Sequence, residues 1–99
     1  MKLGLFKFKY GEEMIAEYEV LQDTYYIQNA AALMPTNEMS WHLVTWMPYT
    51  TVKKGMHLPK SEIWFVADLE TDMVEYYENW KNAANKLVQQ ESLEKTTKN

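Results

Sequence analysis

Near the start of the chain Phe6, Phe8 and Tyr10 alternate with Lys7 and Lys9. A period of two puts successive side chains on opposite faces, so this stretch predicts a half-buried β-strand. Gly11-Glu12-Glu13 interrupts it as a turn. Met14, Ala16, Tyr18 and Val20 then share one face and Glu17 and Glu19 the other, so a second strand returns as an antiparallel hairpin. The expected register sets Lys7 and Lys9 across from Glu17 and Glu19, pairs worth a few tenths of a kcal/mol up to about 1. Gln22-Asp23-Thr24 marks the next turn, and a third strand covers about residues 25–34, small-sided at Ala30-Ala31-Ala32 and ended by Pro35-Thr36-Asn37-Glu38. A fourth strand covers residues 41–47. Pro48 through Gly55 reads as a loop or irregular edge, and Met56-His57-Leu58 as a short strand before Pro59. Residues 63–69 form the last strand. It is apolar on both faces through Trp64, Phe65 and Val66, which predicts a central place in the sheet or cover on both sides.

Beyond Leu69 the period changes. Met73, Tyr76, Tyr77, Trp80, Ala84, Leu87 and Val88 recur at the spacing of an amphipathic helix, predicted over about residues 72–90. Thr71 is the expected N-cap, Asp72 and Glu75 suit the positive end of the helix dipole, and the polar segment 91–99 is expected to fray. Five strands, with the short Met56-His57-Leu58 segment left out of the count, followed by one helix cannot bury both faces of a flat sheet. The sheet must curl into a barrel or pack on the helix, so the expected architecture is mainly β, a strongly bent antiparallel sheet with the C-terminal helix over one face or one open end.

Length and composition narrow the function more than the fold. Ninety-nine residues make one small domain. There is no cysteine, which excludes disulfides, cysteine-ligated zinc and thiol nucleophiles. No apolar run reaches the ~20 residues of a membrane span, and the Lys–aromatic alternation at the N-terminus is unlike a signal peptide. A soluble, cytoplasmic protein without a membrane partner is expected. Net charge is −4, and it is unevenly spread: residues 1–60 carry six Lys and six acids, residues 61–99 four Lys and eight acids. The chain has no Arg, the residue best suited to bidentate phosphate and base contacts.

Catalytic patterns are sparse. His42 and His57 lie in different segments without neighbours at metal-ligand spacing, no glycine-rich phosphate loop is present, and Ser40, Ser61 and Ser92 lack nucleophile context. No enzyme activity, metal or cofactor is expected. Two segments carry binding chemistry. Asp23-Thr24-Tyr25-Tyr26 sets an acid beside aromatics at the second turn, which serves as an Asx turn or as a base-stacking site. Lys53-Lys54-Gly55, His57 and Lys60 are the densest basic group. They form a solvated loop in one copy or a positive ring for phosphates if several copies converge.

The order of these elements resembles the Sm-like (LSm) family, and in particular the small Sm-like proteins of cyanophages and marine phages. The segments that carry the resemblance are Tyr10-Gly11-Glu12-Glu13-Met14-Ile15-Ala16, Trp46-Met47-Pro48-Tyr49 and Leu58-Pro59-Lys60-Ser61-Glu62-Ile63-Trp64-Phe65-Val66-Ala67. The resemblance covers about residues 3–69, and the usual Sm core carries its helix at the N-terminus instead. It implies a bent five-stranded open barrel whose edge strands pair between subunits to close a homo-oligomeric ring. It further implies single-stranded, often U-rich, RNA at the pore, held by two loops. Asp23 and Tyr25 fit the first loop's acid and aromatic, whereas Asn29 falls later than the family's Asn. The second loop, usually Arg-Gly, matches Lys54-Gly55 in chemistry and Lys60-Ser61 in position.

The sequence therefore predicts a nucleic-acid-binding ring for single-stranded RNA or DNA, working without catalysis through Asp23, Tyr25, Lys54, Gly55, His57 and Lys60. The alternative is a structural or protein-interaction oligomer that kept the ring and lost the RNA site. The absent Arg and the acidic helix motivate that alternative, and Tyr76, Tyr77 and Trp80 would then contact the partner.

Overall fold

A computed structural model describes residues 1–36, 40–47 and 54–97, with 86–97 as helix backbone. The strands are β1 (Lys2–Phe8), β2 (Glu13–Val20), β3 (Thr24–Pro35), β4 (Trp41–Thr45), β5 (Met56–Pro59) and β6 (Ile63–Ala67), followed by helix α1 (Thr71–Thr97). They form one antiparallel open sheet in the order β4-β3-β2-β1-β6, with β5 also on β3. β5 pairs with β3 through Thr24–Ile27 and β4 through Ala31–Pro35, so the two short strands follow one another along one side of β3. A one-turn 3-10 segment, Lys60–Glu62, leads from β5 directly into β6, which pairs with β1. That short link joins opposite ends of the sheet and bends it around its apolar side chains. The architecture is the expected bent β-sheet plus helix. Among the described residues it has six strands rather than five because the short Met56–Leu58 segment, left out of that count, pairs along β3 as Met56–Pro59.

Inside the bend lie Phe6, Phe8, Met14, Ala16, Tyr18, Ile27, Ala30, Ala32, Trp46, Leu58 and Ile63, all buried. Phe6, Tyr18 and Tyr25 meet edge to face, with centroids 5.2 to 6.0 Å apart. The alternation of the first two strands predicts this face correctly except at Tyr10, which lies beyond the end of β1, and at Val20, both of which are exposed. The hairpin register differs from the expected one. Phe8 N–H donates to the Glu12 carbonyl at 2.9 Å and Gly11 N–H to the Phe8 carbonyl at 3.0 Å, so the turn closes tightly at Gly11. Lys7 consequently pairs with Glu13, at 3.2 Å, and Glu17 stands opposite Leu3.

One irregularity organises the second layer. In the β2–β3 pairing Ile15 opposes Ala31 and Glu17 opposes Gln28, so Asn29 and Ala30 together face Ala16. This is a β-bulge, and Asn29 adopts φ 52°, a left-handed conformation that Asn tolerates better than most residues. The extra residue reverses the parity of β3. Tyr25 and Ile27 before it and Ala30 and Ala32 after it all reach the inner core. Ala31 turns to the outer face, where it joins Ile15, Leu43 and Tyr77 beneath α1, with Leu3, Leu5, Leu33, Leu69, Met73 and Trp80 around them. The alanine run thus lets the chain be covered closely on both sides.

The helix is anchored by polar contacts at the same place. Tyr77 is fully buried, and its hydroxyl donates to the Asn29 carbonyl at 2.7 Å. Lys81 bonds Glu17 at 2.6 Å and Glu78 at 3.1 Å, and Asn29 Nδ2 donates to the other Glu17 oxygen at 3.4 Å. Glu70, not Thr71, is the N-cap, because its carbonyl accepts from Met73 and Val74 N–H at 3.0 Å each. The helix reaches Thr97, beyond the end predicted near residue 90, so most of the segment expected to fray is helical.

The last strand also departs from expectation. β6 is an edge strand, and Trp64 and Phe65 are 68% and 44% exposed. Lys7 opposes Phe65 and Phe8 opposes Ile63, which leaves Trp64 as the extra residue of a second bulge and turns its ring outward. An apolar run predicts burial only if neighbours exist on both sides, and among the described residues β6 pairs with β1 alone.

Burial, then the carboxylates of Glu17 and Glu78, push the Tyr77 phenol well above its usual range. The hydrogen bond to Glu17 raises Lys81. Both groups hold protons more tightly in the folded chain than in the unfolded one. Their contribution is therefore fully present below about pH 10 and is lost as pH rises further. Urea unfolding followed at pH 8 to 11 is expected to show a midpoint that declines above about pH 10. Tyr77→Phe is expected to cost about 1 kcal/mol at pH 8 and to make that decline shallower.

Candidate nucleic-acid interface

The β3–β5 pairing brings the two predicted binding segments together. Thr24 opposes Pro59, Tyr25 opposes Leu58 and Tyr26 opposes His57. Leu21 N–H donates to the Thr24 carbonyl at 3.0 Å and closes the β2–β3 turn, and Lys60 N–H donates to the Asp23 carbonyl at 3.0 Å. Turn and 3-10 segment are thus tied by backbone, independent of side-chain choice.

The six candidate residues divide into two groups because neighbouring strand positions face opposite ways. Asp23, Tyr25 and Lys60 form the first. Tyr25 points to the inner core against Phe6 and Tyr18, and Lys60 Nζ lies 5.6 Å from its ring centroid, a cation–π contact. Tyr25 is therefore largely engaged by its own fold, while Asp23 is exposed.

Lys54, Gly55 and His57 gather on the other side around Tyr26. The Tyr26 and His57 rings are 5.1 Å apart and inclined at 51°, and Thr24 Oγ1 lies 3.3 Å from His57 Nδ1. Gln28 Nε2 donates to the Tyr26 hydroxyl at 3.3 Å and to the Lys54 carbonyl at 3.4 Å. Gly55 has φ +130° and lies against Tyr26, so a Cβ there would collide with the phenol oxygen. Lys54 and His57 are exposed. Glu19 and Glu17 oppose Tyr26 and Gln28 from β2, which places this group on the helix side of the sheet. Lys81 offsets Glu17, and Glu19 remains exposed beside Tyr26.

Thr24, Tyr26 and Gln28 belong to this surface; the first two lie in the segment the sequence marks, although only Asp23 and Tyr25 were assigned from it, and Gln28 was not singled out. The available signal was parity: of two consecutive tyrosines on a strand, one faces the core and the other does not. Asn29, which the resemblance would move toward the first loop, instead serves the bulge beneath the helix. Lys53 and the Pro48-Tyr49 half of one resembling segment lie outside the described residues. Among the described residues no three His, Asp or Glu side chains gather as a metal site, and no helix is long and apolar enough to cross a membrane. The arrangement can stack planar rings on Tyr26 and His57 and contact anions through Lys54 and Lys60. No protein-family model matches the sequence, and no curated protein matches it.

Gly55→Ala would force a side chain into both a positive φ and the Tyr26 ring. A loss of about 1–3 kcal/mol in urea unfolding is expected, with displacement of the Tyr26 and His57 ring resonances in NMR spectra.

Proposed function

We propose that this chain is a non-catalytic Sm-like protein that binds single-stranded nucleic acid as a homo-oligomeric ring. The observation that carries the reading is the meeting of the β2–β3 turn with β5 and the 3-10 segment, through the Asp23–Lys60 backbone bond and the Tyr26–His57 ring contact. Two segments far apart in sequence, each chosen for base or phosphate chemistry, are thereby held side by side at one end of β3, with Lys54, Tyr26 and His57 on its helix side and Asp23, Tyr25 and Lys60 on the other. Bases would stack on Tyr26 and His57, and phosphates would contact Lys54 and Lys60. One copy offers few cations, so the mechanism relies on several copies adding their lysines around an axis. The outer strands, β4 and β5 on one side and β6 on the other, would pair between copies.

One observation favours a second reading, an oligomer that recognises protein instead of nucleic acid. Trp64 and Phe65 expose large rings on the β6 edge, 5.4 Å apart, where an apolar partner would cover them.

Native mass at micromolar concentration is expected to show a closed set of roughly five to seven copies. A labelled oligouridine is expected to bind, with affinity falling severalfold or more between about 50 and 200 mM salt. Lys54→Glu and Lys60→Glu are each expected to weaken that binding by about tenfold. Unchanged binding in both variants rejects the site, and a closed ring without affinity for RNA or DNA at low salt selects the second reading.

A further inference from the structure

The two outer edges of the sheet carry opposite charge at matched spacing. Among the described residues β6 pairs with β1 alone and β5 with β3 alone. Lys54 and Lys60 flank β5, whereas Glu62 and Asp68 flank β6. Both pairs are six residues apart. Lys54, Glu62 and Asp68 are exposed, and Lys60 is half-buried. An antiparallel pairing of β5 with β6 of a second copy that sets Lys54 across from Asp68 therefore also brings Lys60 close to Glu62.

That register also agrees with the faces of both strands. Met56 falls opposite Val66, and each packs on the inner core. His57 falls opposite Phe65. His57 opposes Tyr26 within its own chain and shares the helix side with it. Phe65 opposes Lys7, Lys7 opposes Glu13, and Glu13 lies two positions before Ile15 beneath the helix, so Phe65 is on the helix side as well. Trp64 is the extra residue of the bulge against β1. Passing over it on the free edge too sets Leu58 opposite Ile63, both in the inner core. A shift by one residue would set inner positions against outer ones. Charge and face, two independent features, select the same pairing.

We infer that Phe65 and Trp64 of the partner subunit complete the nucleic-acid site, an inference that rests on the ring proposed above. Directly opposed residues on one face have Cβ atoms about 4.5–5.5 Å apart. Tyr26, His57 and the partner subunit's Phe65 then form one row across the junction, with Trp64 of the partner subunit beside it. Successive bases of a single strand stack along this row. A single copy carries Tyr26 and His57 on one edge and Trp64 and Phe65 on the other, so its site is incomplete, and only the junction unites the four rings. The pairing also gives the exposed rings of β6 a neighbour. Lys54 has three N–H donors and can serve both Asp68 of the partner subunit and a phosphate.

The chain has no cysteine, so introduced thiols report the junction without background. His57→Cys combined with Phe65→Cys, treated with a short bifunctional thiol reagent, is expected to give a ladder of covalent multimers that ends at the native ring mass. Each single variant is expected to give no ladder beyond a dimer. Lys54→Cys combined with Asp68→Cys checks the same register at its other end. Trp64→Leu and Phe65→Leu, read as closed rings by native mass, are each expected to weaken oligouridine binding by about tenfold, whereas Phe65→Tyr keeps a stacking ring and is expected to retain it. A monomeric parent chain removes this inference and the ring together. A closed ring with neither ladder, or with undiminished oligouridine affinity in both leucine variants, overturns this inference and leaves the ring standing. A laddered ring that does not bind oligouridine also overturns it, in favour of the protein-recognising reading.

Discussion

The bulge at Asn29 is the constraint on which the two-layer structure depends. A regular strand through this point would carry Tyr25, Ile27, Asn29 and Ala31 on one face, with Asn29 in the inner core and Ala30 and Ala32 beneath the helix. The extra residue instead sends Ala30 and Ala32 inward, turns Ala31 to Tyr77, and leaves the Asn29 carbonyl within reach of the helix. That carbonyl is satisfied from the helix by the Tyr77 hydroxyl, and the Asn29 amide reaches Glu17, the partner of Lys81. The irregularity in the sheet and the seat of the helix are the same feature. Neither would be stable alone, because a buried carbonyl or hydroxyl without a partner costs about 1–3 kcal/mol.

The helix then decides what remains of the sheet's surface. It covers the middle of the outer face and leaves two separate regions on β3. At the strand's start are Tyr26, His57 and the nearby lysines. At its end is Trp41, edge-on to Tyr76 of the helix. The second bulge, at Trp64, has a comparable effect on the edge, where it directs an aromatic ring outward from a strand whose sequence reads as core.

Most of the secondary structure was legible in the chain. Period-two runs marked β1 and β2, turn residues separated the strands, and the change to helical spacing after Leu69 marked α1. Each of these signals is local. The association of Asp23-Thr24-Tyr25-Tyr26 with Lys54, Gly55, His57 and Lys60 could be suspected from chemistry, but their division between two sides could not. That division depends on which of Tyr25 and Tyr26 faces the core, and the hydrophobicity of two tyrosines is the same.

The sequence by itself determined a mainly β domain closed by an amphipathic helix, without disulfides and with its negative charge concentrated toward the C-terminal end. Hydrophobic periodicity and composition suffice for that, because burial of an apolar face depends on the neighbours along the chain. Tertiary structure alone decided the hairpin register, the edge position of β6, the bulge at Asn29 and the setting of Glu12 between Tyr10 and Trp46. Each follows from pairing between residues distant in sequence, where a one-residue slip reverses every face and no local pattern records the choice.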